Sequence, residues 1–161
     1  MRRDSRLSLS LHVLLHMAEH DPPVRSEDLG ESMGVNPVVI RRTMAGLRNA
    51  GLVDSVKGHG GGWSIARDLK EISLLDIYRA LDEPILIQQH RGTEKPECLV
   101  EQTVGRTLNK TFQAAEKLII ERFKKIRLSD VSAEFHLLLE RSRADKSEES
   151  QRSHSNHDID H

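Results

Sequence analysis

A glycine-rich stretch that carries ionisable side chains is the most informative chemical feature of this sequence. It reads Lys57-Gly58-His59-Gly60-Gly61-Gly62-Trp63 and lies between two short β-prone runs, 52–56 and 64–67. Glycine lets a backbone approach a partner closely, while Lys57 and His59 supply hydrogen-bond donors beside it. The pattern predicts a β-hairpin whose tip can press against a binding partner.

A basic helix is predicted immediately before this hairpin. The segment 36–67 holds five lysines and arginines, three of them (Arg41, Arg42 and Arg48) in the helical run, and a single acid, Asp54. Since a winged helix places a helix in the major groove and a hairpin at phosphates or the minor groove, this order predicts a DNA-binding unit.

The helices that position this unit can be predicted from residues that typically start or end helices. An amphipathic helix over 5–20 is stopped by Asp21-Pro22-Pro23. Ser26 is predicted to cap a second helix that ends at Gly34. Asn36 and Pro37 are predicted to start a third helix that Gly51 ends, which gives two helices joined by a three-residue turn.

The second half of the chain is dominated by one long helix. Ser73 and Asp76 predict a capping box for a short helix that ends near Leu81. A helix over 100–128 follows, and we expect its apolar stripe to be covered by a second copy of the chain. The stripe comprises Leu108, Phe112, Ala115, Ile119, Phe123 and Ile126.

The predicted fold class is therefore mainly α with a small β-hairpin wing: a winged helix-turn-helix plus a long dimerisation helix. We expect a DNA-binding domain over 1–83, a linker or sensor loop over 84–99, the long helix and a short C-terminal helix over 100–141, and a disordered tail over 142–161.

Composition restricts the setting of the protein. The formal net charge is −1, so affinity for a polyanion must come from local charge. A single cysteine allows no internal disulfide. We recognise neither a signal peptide nor a membrane span, and expect a soluble cytoplasmic protein without membrane partners.

Residues 1–140 resemble the Rrf2 family of bacterial winged-helix repressors, chiefly in the wing Lys57–Arg67 and the segment Glu71–Leu81 that follows. The resemblance implies a homodimer that reads a palindromic operator with helix 36–50 in the major groove and wing 57–62 in or near the minor groove. Family members often have arginine at the position of Lys57, so we expect weaker shape readout here. The predicted DNA-contacting residues are Ser26, Asn36, Pro37, Val38, Arg41, Arg42, Arg48, Lys57, His59 and Gly60.

Cys98 has three interpretations. It is a plain buried residue, a redox-reactive thiol, or one ligand of an unusual cluster or metal site with His90, Glu97 or Glu101. Family members that hold an iron–sulfur cluster carry three cysteines in this region, whereas this chain has only Cys98, as cluster-free members do. We therefore predict no cofactor and no metal, and name Cys98 as the redox candidate.

The sequence bears on two other function classes. A winged helix can serve as a protein-interaction module, in which case its basic helix is merely solvated. An enzyme is not expected, because the sequence has no catalytic triad, paired carboxylates or phosphate-binding loop. The inducing signal, whether a small molecule or a protein, is left open.

Overall fold

The computed structural model describes residues 5–81 and 98–155. The elements are α1 (Ser5–Ala18), α2 (Ser26–Met33), α3 (Pro37–Asn49), β1 (Val53–Val56), β2 (Gly62–Ile65), α4 (Leu74–Ala80), α5 (Leu99–Lys125) and α6 (Leu128–Ser155). The chain divides after Leu128 into two units, and α6 is therefore described by itself. The linker 84–97 lies outside the described residues.

The predicted helix-turn-helix is confirmed. Gly34 ends α2 with φ of +63°, a conformation that suits glycine. Asn36 Oδ1 then accepts a hydrogen bond from the N–H of Val38 at 2.9 Å, and Pro37 opens α3. The turn lies tight against α2, because a Cβ on Gly30 would be 2.6 Å from the carbonyl oxygen of Val35.

The wing is a two-stranded antiparallel hairpin in which Val53 faces Ile65 and Val56 faces Gly62. The strands begin and end within two residues of the predicted runs. The segment before α2 joins the same sheet, since Val24 and Trp63 exchange two backbone hydrogen bonds of 2.9 and 2.8 Å. The wing is therefore tied to the start of the helix-turn-helix as well as to its end.

The core of the first unit is built from aliphatic side chains of α1, α3 and α4 together with the start of the wing. Its fully buried members include Leu14, Ile40, Met44, Leu47, Leu52, Ile72, Ile77 and Leu81. The predicted capping box of α4 is present, because Asp76 N–H donates to Ser73 Oγ at 3.1 Å and Ser73 N–H donates to Asp76 Oδ2 at 2.9 Å. These two hydrogen bonds fix the first turn of α4.

The C-terminal end of α5 belongs to this same core. Leu74 N–H donates to Ile126 O at 3.0 Å, and Leu128 N–H donates to Ile72 O at 2.8 Å. The ring of Phe123 meets Tyr78 edge-on at 6.0 Å. Phe123 is therefore partly covered by its own subunit, and its place between two copies of the chain stays a prediction.

Two helix ends differ from the sequence prediction. α5 ends at Lys125, three residues before the predicted end, where the chain pairs with the start of α4. α6 begins at Leu128 and continues to Ser155, whereas the sequence predicted a short helix over 131–141 and a disordered tail. Segment 142–155 contains no glycine or proline to stop a helix, and its serines are only mildly unfavourable in a helix. Residues 156–161 lie outside the described part.

In residues 5–81 and 98–155, no helix has both the length and the hydropathy that crossing a bilayer requires.

Gly46 lies where α3 meets α4. A Cβ at this position would be 2.8 Å from the carbonyl oxygen of Ala80, which real side chains do not tolerate without movement of the backbone. The approach explains a glycine in the middle of a helix, where it would otherwise cost stability.

We predict that Gly46→Ala lowers the free energy of unfolding by about 1–2 kcal/mol, because the clash with a rigid carbonyl exceeds the gain in helix propensity. Gly105→Ala in α5 is the matched control, since nothing lies within 4 Å of its added Cβ. It should raise stability by up to about 1 kcal/mol. Urea unfolding measures both, and an equal gain in the two variants would contradict the close contact.

Candidate nucleic-acid interface

One face of α3 is exposed along its length. Ile40, Met44 and Leu47 are buried beneath it, whereas Val38 is 56% exposed and Arg41 and Arg42 lie at the surface. With 3.6 residues per turn, Val38, Arg41 and Arg42 lie on one side of the helix. α3 therefore presents an apolar residue and two cations together, with no acid of its own.

Val39 lies next to Val38 and is also at the surface, since its side chain is 45% exposed. Among the described residues, neither valine belongs to the core or packs against it. Both are therefore surface residues at the N-terminal end of α3.

The three arginines of α3 have different surroundings. Arg41 Nη1 donates to Glu27 Oε1 of α2 at 3.1 Å. Arg48 Nη1 lies 3.5 Å from Ser55 Oγ of β1. Within residues 5–81 and 98–155, no hydrogen bond or ion pair holds Arg42. Arg42 therefore offers its whole guanidinium to a partner, while Arg41 offers only part of it.

Asn36 and Pro37 mainly build the start of α3. The Asn36 side-chain oxygen accepts the Val38 N–H, which leaves its NH₂ group as the part directed to a partner. Pro37 has no N–H and fits the first helical position, where the N–H is not needed by the helix.

Ser26 occupies a different place from the one predicted. Arg25, not Ser26, is the N-cap of α2, and Arg25 makes no side-chain capping bond. Ser26 is only 7% exposed, and its Oγ accepts a hydrogen bond from Trp63 Nε1 at 2.9 Å. This hydroxyl connects α2 to β2 under the wing. Trp63 is partly buried and packs against the core.

The wing tip is an exposed turn formed by Lys57, Gly58, His59 and Gly60. Gly58 and Gly60 have φ of +100° and +80°, which side-chain-bearing residues rarely adopt. Gly61 N–H donates to Gly58 O at 3.0 Å and closes the turn. A Cβ on Gly61 would collide with the Val56 carbonyl oxygen, so the tip depends on glycine.

Cys98 is exposed and lies at the N-cap of α5. Its exposure rules out the plain buried interpretation. The backbone N–H groups of Glu101 and Val100 lower the pKa of the thiol, which favours the reactive thiolate. Two of its predicted co-ligands, His90 and Glu97, lie outside the described residues.

The fold and this surface define a winged helix-turn-helix protein. The family model for Rrf2, described as an iron-dependent transcriptional regulator, matches residues 3–134. The HTH-type transcriptional regulator YwnA of Bacillus subtilis is 30% identical over 128 residues, which are 80% of this chain and 95% of YwnA.

Two further relatives agree with this result. IscR of Photobacterium profundum is 33% identical over 100 residues, which cover 61% of this chain and 57% of that protein. The solved structure of T. potens IscR superposes with a TM-score of 0.55 at 26% identity, over 83% of this chain and 88% of that one. The chain belongs to the Rrf2 family of transcriptional regulators.

The family model is described as iron-dependent, yet the donor set of this chain does not fit a cluster held by its own thiolates. Such clusters use several cysteines, and the sequence has one. In the parts of the chain that the structure describes, no three His, Cys, Asp or Glu side chains are grouped so that they could hold a metal ion.

We predict that Ser26→Ala loosens the wing. It leaves the indole N–H of Trp63 without its partner at a half-buried position, which should cost about 1 kcal/mol of unfolding free energy. Trp63 is the only tryptophan, so its fluorescence emission reports this site directly and should shift to longer wavelength. Ser32→Ala, also in α2, removes only hydrogen bonds to carbonyls of the same helix, those of Asp28 and Leu29. Matching stability and emission in the two variants would argue against the Trp63 anchor.

Proposed function

We propose that this regulator is a homodimeric, sequence-specific DNA-binding repressor that reads a palindromic operator. The observation that carries the proposal is the exposed face of α3, where Val38 lies beside Arg41 and Arg42 and none of the three packs into the core of the described residues. The membership of the family of transcriptional regulators supports it.

Each exposed group has a fitting partner on a DNA duplex. The guanidinium of Arg42 suits the O6 and N7 atoms of guanine, and the methyl groups of Val38 suit the methyl group of thymine. Arg48 lies farther along α3, where a phosphate contact is the natural role. Lys57, His59 and the backbone of Gly60 form the wing tip, which we assign to phosphates at or in the minor groove.

Three predicted contact residues take narrower roles in this proposal. Ser26 positions the wing through Trp63 instead of touching DNA. Pro37 shapes the first turn of α3. Asn36 contributes its NH₂ group, which donates to a base or a phosphate but does not give the paired donor and acceptor that reads adenine.

The dimer interface that we propose is a charge-free face of α5. Segment 100–118 contains five charged residues, and helical periodicity places them outside this face, with Glu101 and Lys110 along its two edges. Three threonines on it donate their hydroxyls to carbonyls of the preceding turn at 2.8–3.1 Å, so they present methyl groups outward. The face comprises Val100, Thr103, Val104, Thr107, Leu108, Thr111, Ala114, Ala115 and Leu118.

This face replaces most of the stripe predicted from the sequence. Phe112 and Ile119 are half-buried beside the Leu108 edge of this face, and Phe123 packs against Tyr78. Leu118, in contrast, is 73% exposed, and it shares this face with Val104 and Leu108, which are 50% and 37% exposed, so the exposed apolar residues form a patch. A second copy of α5 is the occupant we propose, because a charge-free surface of matched small and branched side chains suits close packing of two helices.

A thiol-dependent input fits the place of Cys98. The thiol precedes the first residue of the proposed dimer face, Val100, by two positions. Its lowered pKa favours attack by oxidants or electrophiles. An adduct there would lie at the edge of the interface that sets the separation of the two DNA-binding domains.

We predict that Arg42→Ala weakens binding to the operator by about 1–3 kcal/mol and relaxes specificity at one base pair. The operator is obtained by selection with the wild-type protein from randomised duplexes about 30 base pairs long, enough for two half-sites. Fluorescence anisotropy at several salt concentrations measures the affinity. Arg143→Ala, an exposed arginine of α6, controls for the lost charge. Failure of the wild type to enrich any duplex would refute DNA reading.

We predict that Leu118→Glu converts the dimer to monomer, since a carboxylate would be buried without a partner in the proposed interface. The monomer itself should stay folded, because Leu118 is exposed in the single subunit. Leu137→Glu in α6 is the matched control and should stay dimeric. Sedimentation equilibrium gives the masses. A Leu118→Glu dimer as tight as wild type would exclude this face.

A further inference from the structure

Glu27 of α2 contacts Arg41 of α3. It stands in the first turn of α2, fourteen positions before Arg41, and its Oε1 accepts from Arg41 Nη1 at 3.1 Å. Both side chains are about half exposed, at 49% and 52%. The neighbouring Arg42 has no such partner within the described residues. Two adjacent arginines on one DNA-facing surface therefore differ in a single acidic contact.

Folding stability does not explain this contact well. An ion pair as exposed as this one contributes little, because water screens the charges and two long side chains must be held in one geometry. Asp28, in the same turn, already places a negative charge at the N-terminus of α2, where it interacts favourably with the helix dipole. The contact instead affects which groups of a binding partner the Arg41 guanidinium can reach.

The geometry of the Arg41 guanidinium determines which of its donors remain available. Its five N–H groups form a planar fork, and Glu27 uses one side through Nη1. The remaining donors still fit a base edge. A phosphate is disfavoured, because it would have to approach next to the Glu27 carboxylate. Holding the fork before binding also lowers the entropy that is lost when it meets a base.

We propose that Glu27 is a specificity-determining positioning residue: it holds the guanidinium of Arg41 so that Arg41 reads a base edge and not the DNA backbone. The inference rests on the proposed function. It assigns the two arginines different tasks, with Arg41 restrained to base reading and Arg42 free to adapt.

The test compares Glu27→Gln with Asp28→Asn. Both variants lose one negative charge from the same helical turn, but only Glu27 contacts Arg41. Sequence preference is read by selection from the randomised duplex pool with each purified full-length variant. The salt dependence of affinity is measured by anisotropy on the duplex that the wild type selects. Arg41→Ala and the Glu27→Gln/Arg41→Ala double variant complete the cycle.

Glu27→Gln should reduce discrimination at one base pair of each half-site by several-fold, up to about tenfold. It should also steepen the salt slope by about one, because a released Arg41 gains a phosphate. Asp28→Asn should keep the wild-type preference. The double variant should have the preference of Arg41→Ala, since Glu27 acts only through that side chain.

Wild-type preference in Glu27→Gln, or equal changes in Glu27→Gln and Asp28→Asn, would overturn the inference and leave the proposed function intact. A wild-type protein that selects no sequence overturns both. A further loss of preference in the double variant beyond Arg41→Ala would also count against it, because Glu27 would then act by another route.

Discussion

The attachment of the wing to the segment before α2 is the constraint on which the rest of the structure depends. Val24 and Trp63 exchange backbone hydrogen bonds, and the Trp63 indole donates to Ser26. The approach is so close that a Cβ on Gly62 would be 2.6 Å from the Val24 carbonyl oxygen. Since the helix-turn-helix lies between Val24 and the wing in the chain, this contact closes the unit. α3 and the wing tip are thereby held as one surface.

The local elements were predictable because their signals are local. Gly34, Asn36 and Pro37 punctuate the helix-turn-helix within a few residues, and Ser73 and Asp76 cap α4 as expected. Each of these depends on backbone conformation or on a hydrogen bond of short range. The basic face of α3 and the glycine tip of the wing were likewise readable from charge and composition.

The errors concern contacts that are distant in sequence. Ser26 was assigned to a helix cap, yet its hydroxyl meets a side chain 37 positions later. The contact of Arg41 with Glu27 joins two helices and could not be inferred from α3 alone. On α5, periodicity identified the apolar residues. It did not show which side of the helix packs on the core of its own subunit. In the structure Phe123 packs against Tyr78 of α4. The charge-free side of α5 faces away from this contact and is left exposed.

The proposed DNA-binding surface and the proposed dimer face of α5 are thus both attached to the winged domain. α5 is fixed to the winged domain at its C-terminal end through the backbone pairing of Ile126 with Leu74 and of Ile72 with Leu128. Its N-terminal end begins after an exposed thiol at Cys98. A change in how two α5 helices meet would therefore alter the position of α3 and the wing as a unit, which links the proposed dimer to the proposed reading of DNA.

A hydroxyl-radical footprint of the dimer on its selected duplex tests the central claim most directly. Two equivalent protected patterns, related by two-fold symmetry, should appear with centres separated by about 10–10.5 base pairs or a multiple of that length. Within each pattern, protection should cover the backbone on both sides of a major groove and extend to the adjacent minor groove that the wing reaches. A single unsymmetrical pattern, or uniform protection along the duplex, would contradict a dimer that reads DNA with α3 and the wing.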